Sequence, residues 1–234
     1  MSLPANITIS AHPCVAAKIS QLRSSSSTTR ETKLLVHELS LLLATEALGK
    51  VLVNKPVGSD VTPLGWGYER VSVGVKGVEA GEGRIVLVPI LRSGLAMVEA
   101  FEAILPAPVA IHHLGLFREK TTLQPVEYYN NLPTSDRSAT PPCDLAVIVD
   151  PIIATGGTAE AAVQTLKEWG VKKILVVAIL GSEEGIARVA NEDGGEGIEI
   201  LVGAVDKELG GKDGGMIVPG IGDIGDRLFL TIGK

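Results

Sequence analysis

Cysteine, aromatic residues and basic clusters are all scarce in this chain, and each scarcity closes a class of explanation. The two cysteines, Cys14 and Cys143, lie far apart with no histidine cluster nearby. Neither a disulfide framework nor a structural zinc site is expected, and a reducing, cytoplasmic compartment is. No stretch carries four basic residues together and the formal net charge is −6, so the electrostatic footprint of a nucleic-acid binder is missing. No apolar run reaches the roughly 18 residues that would suggest a membrane span. The opening MSLPANITISAHP lacks the basic region and apolar core of a secretory signal.

What is present points to a packed domain. With 234 residues, 45% of them hydrophobic, the chain can form a real core, and size scaling predicts that roughly 70% of its unfolded surface leaves water. The 27 glycines and 13 prolines imply many special turns. Two helices are expected first, Cys14–Leu22 and Arg30–Leu48, with the SSSSTT loop Ser24–Thr29 able to cap the second. Leu34, Leu35, Leu39, Leu42 and Leu43 form the expected apolar face of that helix. Strands follow over Lys50–Val57 and Tyr68–Lys76, with Trp66 read as a packed turn residue between them.

From residue 84 the pattern changes. Arg84–Ile90, Val109–Gly115, Asp144–Val149, Lys173–Leu180 and Ile198–Val205 are short apolar segments. Gly94–Ile104, Thr158–Glu168 and Glu183–Asn191 are helix candidates between them. Continuous Val/Ile/Leu strands separated by helices predict an open, mostly parallel α/β sheet buried on both faces. Two insertions, Glu119–Pro142 and Asp206–Arg227, are too long and too polar to be minimal connections. Ligands bind at the carboxyl ends of such strands, which is where these insertions fall.

Three constellations at those strand ends carry chemistry. In the stretch VIVDPIIATGGTA, Asp150 ends a strand and Ala154–Thr158 opens a helix. Glycines there let backbone N–H groups converge on a phosphate, and a carboxylate one turn earlier can accept from two sugar hydroxyls. The plainer alternative is a tight glycine turn with Thr158 as a helix cap. Arg92 in PILRSG and Arg118 sit at two further strand ends, either as surface charges or as a clamp for a diphosphate. The glycine-rich run from Gly215 to Arg227 is either a surface loop or one that offers backbone donors and acceptors to a flat heterocycle. His112 and His113 are read as packing or structural residues on a strand.

Together, PILRSG at 89–94, EYYNNLP at 127–133, DPIIATGGT at 150–158 and IVPGIGDIGDRLF at 217–229 resemble the uracil phosphoribosyltransferase family, in the family's order and over essentially the whole chain. The resemblance implies a type I phosphoribosyltransferase fold: an open, mostly parallel α/β sheet flanked by helices, with a C-terminal hood over the base and a protruding arm. Residues 1–234 would form one such domain, with a helical region at 1–49, a core at 84–205, an arm at 119–142 and a hood at 206–227. It further implies transfer of the phosphoribosyl group of 5-phosphoribosyl 1-diphosphate to N1 of uracil, giving UMP in pyrimidine salvage.

By the same motif match, Arg92, Arg118, Asp150 and Asp223 form the catalytic set. They would bind the donor together with Pro151, Ile152, Ile153, Ala154, Thr155, Gly156, Gly157 and Thr158. Ile217, Gly222, Asp223 and Ile224 would read uracil, mostly through backbone atoms. Mg²⁺ would ride on the substrate's diphosphate, with no metal site made of side chains. Pro151, where most type I relatives carry a second acid, marks the uracil branch. Ser93, Glu119 and Ile224 depart from the motif as relatives usually carry it, and Ile224 would stand beside the base. A homodimer or larger homo-oligomer is implied, and GTP is an effector in some family members. The alternatives on the same fold are a nucleotide-sensing regulator without catalysis and a transferase with altered base preference.

Overall fold

The computed structural model describes residues 3–78, 83–118, 125–133, 141–211 and 214–231. In chain order its first elements are β1 (Ile7–Ile9), α1 (Pro13–Leu22), α2 (Thr29–Val51), β2 (Leu52–Val61) and β3 (Gly67–Val75). Next come β4 (Ile85–Leu91), α3 (Leu95–Ile104), β5 (Ala110–Ile111), β6 (Leu114–Arg118), β7 (Pro125–Asn130) and β8 (Leu145–Val149). The remainder is β9 (Ile152–Ile153), α4 (Gly157–Trp169), β10 (Ile174–Ser182), α5 (Glu183–Ala190), β11 (Ile198–Asp206), β12 (Glu208–Gly210), β13 (Met216–Val218) and α6 (Ile224–Phe229).

The main sheet runs β1-β11-β10-β8-β4-β6-β7, with β5 beside β4 and β9 beside β10. Every pairing is parallel except the one between β6 and β7. The central strands β8 and β10 are buried along their whole length. Side chains alternate across a strand, and the alternation separates two apolar clusters. Leu145, Val147, Val149, Leu175, Val177 and Ile179 point to one side, against α1, α2 and α3. Ala146, Ile148, Val176 and Ala178 point to the other, against α4 and α5. Burial on both faces is why these strands read as unbroken apolar runs, and it leaves the strand ends as the places where polar chemistry meets water.

Helix α2 shows how the local signals act. Thr28 is its N-cap: the Thr28 hydroxyl accepts from the Glu31 amide at 3.3 Å, and the Glu31 carboxylate accepts from the Thr28 amide at 2.7 Å. That reciprocal box satisfies two end groups at once. The helix then runs through Val51, so Lys50 is helical and the following strand starts two residues later than its composition suggests. Its buried side is Leu35, Val36, Leu39, Leu43, Ala44, Ala47 and Leu48. Leu34 is 56% exposed and Leu42 is half-buried, because the covered stripe is narrower than the run of leucines.

Two more expectations need correcting. Trp66, read as packed, is 74% exposed at the tip of the β2–β3 ribbon. The segment 109–115 is two short strands interrupted at His112 and His113. His112 meets the Trp169 ring edge-on at 5.4 Å, and the His113 amide donates to Asn131 Oδ1. Glu119 and most of the 119–142 insertion lie outside the described residues.

The packing assignment has a direct test. Leu39→Ala is expected to cost ~2–5 kcal/mol of unfolding free energy, and Leu34→Ala no more than ~0.5 kcal/mol. Equal losses in denaturant titrations would overturn the placement of the helix.

Candidate functional site

The site is assembled where β4 and β8 end side by side. A Cβ on Gly94 would lie 2.4 Å from the Val149 carbonyl oxygen and 2.7 Å from the Ile90 backbone, so the turn after β4 closes only with glycine there. The same turn contains the cis peptide Leu91–Arg92. This close approach carries Ser93 to the end of β8, where its hydroxyl donates to Asp150 Oδ1 at 2.7 Å. Asp150 is 9% exposed. Burial pushes its carboxyl up to about 7, against the hydrogen bonds from Ser93 and the Ile152 amide, which favour the ionised form.

Pro151 costs the sheet nothing. Its carbonyl accepts from the Ile179 amide at 3.1 Å and the Leu180 amide at 3.0 Å, while its missing donor falls where the chain leaves the ladder. Ile152 and Ile153 then rejoin β10 as β9. The chain turns into α4 at Gly156, with φ +79° and no side-chain cap on the helix. Thr158 therefore does not serve as the cap. The first-turn amides of α4 lack a side-chain acceptor, which is the condition for anion binding at a helix start.

A neighbouring turn braces this loop. Ser182, fully buried at the end of β10, donates its hydroxyl to the Ala154 carbonyl and accepts from the Gly185 amide at 2.8 Å. Gly156 and Gly185 pack backbone against backbone: a Cβ on Gly156 would sit 2.5 Å from the Gly185 carbonyl oxygen, and one on Gly185 2.1 Å from that of Ala154. Arg188 on α5 pairs with Glu160 on α4 and ties the two helices together.

A cavity of about 150 Å³ opens beside the loop, lined by Asp150, Ile152, Ile153, Ala154, Thr155, Gly156, Thr158, Ala159 and Gly215. Gly157 is absent from that lining but begins α4 in the same turn. Gly215 comes from the approach to β13, so the C-terminal insertion reaches the loop. That run is already marked by its glycines as a candidate ligand-facing loop, whereas the residue types of Ser182 and Gly185 signal an ordinary helix start and their link to the loop is purely tertiary.

The other expected residues gather on the C-terminal side. Arg92 stacks over the Phe229 ring, 5.6 Å from its centroid. A Cβ on Gly225 would lie 3.2 Å from Asp223 Oδ1 and 3.8 Å from Arg92 Nη2, which puts both charged groups around one small residue. Asp223 caps α6, accepting from the Asp226 amide at 3.0 Å. Ile217 and Ile224 are buried with Ile221 and Leu228 in the core. The side chain of Ile224 is thus packing, and the backbone of Ile217, Gly222 and Ile224 is what this segment can offer a ligand. Arg118 is the last residue of β6, and its side chain lies outside the described residues.

Asp150 makes stability depend on pH in a definite direction. Its folded value of about 7 stands above the ordinary 3.8. Its contribution is thus fully present below the ordinary value and is lost as pH rises through the folded one. Asp150→Asn removes that dependence. The melting temperature of the parent relative to the variant is expected to fall as pH rises from about 4 to about 7 and to level off above that, at constant ionic strength. A gap that does not move with pH would reject the buried carboxyl.

The chain is similar to known proteins over nearly its whole length. The family model described as uracil phosphoribosyltransferase matches residues 9–231. The urg2 protein of Schizosaccharomyces pombe is 43% identical over 96% of this chain and 90% of its own. The uracil phosphoribosyltransferase of Roseiflexus castenholzii is 39% identical over 95% of this chain and 97% of its own. A solved structure from Aquifex aeolicus superposes with a TM-score of 0.79 at 32% identity, covering 96% of this chain and 98% of that one. The adenine phosphoribosyl transferase of Trypanosoma brucei shares the fold at 14% identity, with a TM-score of 0.51 over 88% of this chain and 87% of that one.

Proposed function

The chain belongs to the uracil phosphoribosyltransferase family, and on that premise we propose how its residues transfer a phosphoribosyl group from 5-phosphoribosyl 1-diphosphate to N1 of uracil, giving UMP and diphosphate. One observation carries the assignment of the donor site: a buried carboxyl leads directly into an uncapped helix start within a single cavity. Asp150 accepts from the ribose hydroxyls, with one oxygen already oriented by Ser93. The amides of Thr155–Thr158 and the two threonine hydroxyls take the 5-phosphate. Arg92, leaning toward Asp223 and the hood, meets the diphosphate together with Arg118. The backbone of Ile217 and Gly222–Ile224 reads the base.

In the reaction the bond from the anomeric carbon to the diphosphate oxygen breaks and its electron pair leaves with diphosphate. Uracil N1 forms the new bond to that carbon, and its proton passes to solvent. No protein nucleophile is needed, so catalysis rests on positioning and on stabilising the leaving charge. Among the described residues no three His, Cys, Asp or Glu side chains come together as a metal-binding set. Mg²⁺ prefers hard oxygen ligands and keeps several waters, which suits an ion held by the substrate's diphosphate. When bound there it offsets charge on the leaving group.

UMP is expected to form when uracil, the diphosphate donor and Mg²⁺ are all supplied, and no corresponding nucleoside monophosphate when cytosine, hypoxanthine or orotate replaces uracil. Since the Ile224 side chain belongs to the core, it gives no ground for a changed base. Uracil binding without product would overturn the enzymatic reading in favour of a sensor. Adding GTP to the same assay tests the effector role that the resemblance carries.

A homo-oligomer is supported by the β2–β3 ribbon, which pairs with no other strand among the described residues. A two-stranded ribbon alone is marginal in water, yet Val53, Val57, Val61, Leu64, Trp66, Tyr68 and Val71 are all exposed on it. A second copy of the chain is the cover we assign to it. Sedimentation should give a mass of at least twice 24.4 kDa, and Leu64→Asp with Trp66→Asp should lower it. A monomeric parent would refute the assignment. A reducing, cytoplasmic setting suits the exposed thiol of Cys14.

A further inference from the structure

The base-reading segment is held by groups that play no part in the reaction above. At the end of α1, the Arg23 guanidinium forks onto Asp206, which ends β11: Nη1 donates to Oδ2 and Nη2 to Oδ1, both at 2.7 Å. The same pair grips the peptide of Gly220 from both sides. Arg23 Nη1 donates to the Gly220 carbonyl at 2.8 Å, and the Gly220 amide donates to Asp206 Oδ2 at 3.0 Å. Gly220 has φ +59°, and a Cβ there would lie 2.1 Å from the Ile217 carbonyl oxygen, so the turn is both special and tight.

A second arginine secures the next residue. Arg227 Nη1 donates to the Ile221 carbonyl at 2.8 Å and to the Leu22 carbonyl at 2.6 Å, and Nη2 reaches the Ser24 carbonyl at 3.2 Å. The Leu22 and Ser24 carbonyls lie at the C-terminal end of α1, where a cation is favourably placed. Residues from the first tenth of the chain thus clamp a loop from its last tenth. Asp206 is buried and Arg23 only partly exposed, so solvent screening of the pair is weak. Removing one partner leaves the other without its match.

We propose that Arg23, Asp206 and Arg227 are positioning residues for the base: by fixing Gly220 and Ile221 they preset the backbone of Gly222–Ile224 and so set the affinity for uracil. The inference rests on the reading of residues 217–224 as the base-binding segment. An ordered loop pays its conformational entropy before the ligand arrives, and loosening it raises the ligand concentration needed. The ribose and 5-phosphate part of the donor site, at Asp150 and α4, is built mainly from other elements and, among the described residues, meets this insertion only at Gly215 and Asp223, so donor affinity changes far less than uracil affinity.

The test is steady-state kinetics with each substrate varied in turn, on Arg23→Lys and Asp206→Asn. Lysine keeps the charge and loses the fork, so it separates geometry from net charge. The KM for uracil is expected to rise about tenfold or more, while the KM for the diphosphate donor stays within about twofold of the parent. Amide hydrogen exchange at Gly220–Ile224 should quicken in both variants, with exchange in β8 unchanged. If exchange quickens in β8 as well, or both KM values rise together, the clamp is merely structural and the proposal fails. An unchanged uracil KM in Arg23→Lys also defeats it. A parent that makes no UMP would sink the enzymatic reading itself, whereas an active parent with indifferent variants sinks the clamp alone.

Discussion

A carboxyl group buried at the end of a central strand is the constraint around which this site is arranged. Asp150 has little water to solvate it, and an unpaired buried charge costs far more than a surface one. Its partner is a hydroxyl brought in from a different strand, and Ser93 reaches it because Gly94 lets one backbone touch another. The parallel sheet is what makes such a meeting regular. Strands buried on both faces have nowhere but their ends to place polar groups, so β4 and β8 deliver theirs to one edge.

Glycine contacts extend the same logic to the phosphate loop and the hood. Gly156 against Gly185 and Gly220 against Ile217 are approaches that a single methyl group would block. Each holds a loop rigid without covering the backbone amides and carbonyls a ligand would use. In the hood, Ile217, Ile221 and Ile224 face inward and bind it to the core, while Met216 and Val218 stay exposed. On the reading proposed for residues 217–224, the base is read by the backbone, so accuracy depends on how firmly that loop is held, which is the task proposed for Arg23, Asp206 and Arg227.

Much of the core was legible because both-faced burial writes a plain signal. The runs Ile85–Leu91, Leu145–Val149 and Ile174–Leu180 are apolar at every position, and nothing in their neighbourhoods competes with that pattern. The leucine-rich stretch of α2 was read less well. A helix covers only one stripe, and the sequence does not say where the stripe ends, so Leu34 matches the apolar pattern yet lies in water. Trp66 failed for a related reason: large aromatic residues normally pack, but here the ribbon carries it away from the rest of the chain. In the site, residue types at strand ends marked Asp150, Arg92 and the glycine turn. Ser182 and Gly185 carried no such mark, since each touches the loop only through the place of β10 in the sheet.

By itself the sequence determined the kind of sheet, the strand ends at which a phosphate and a sugar could be held, and through its motifs the family. Those are local or periodic properties, set by which residues follow one another. Tertiary structure alone decided that Ser93 meets Asp150, that Ile224 belongs to the core, and that Arg23 and Asp206, separated by 183 residues, close on Gly220. The reason is physical: a hydrogen bond acts over about 3 Å, and which distant groups come within that reach is fixed by the packing of whole elements.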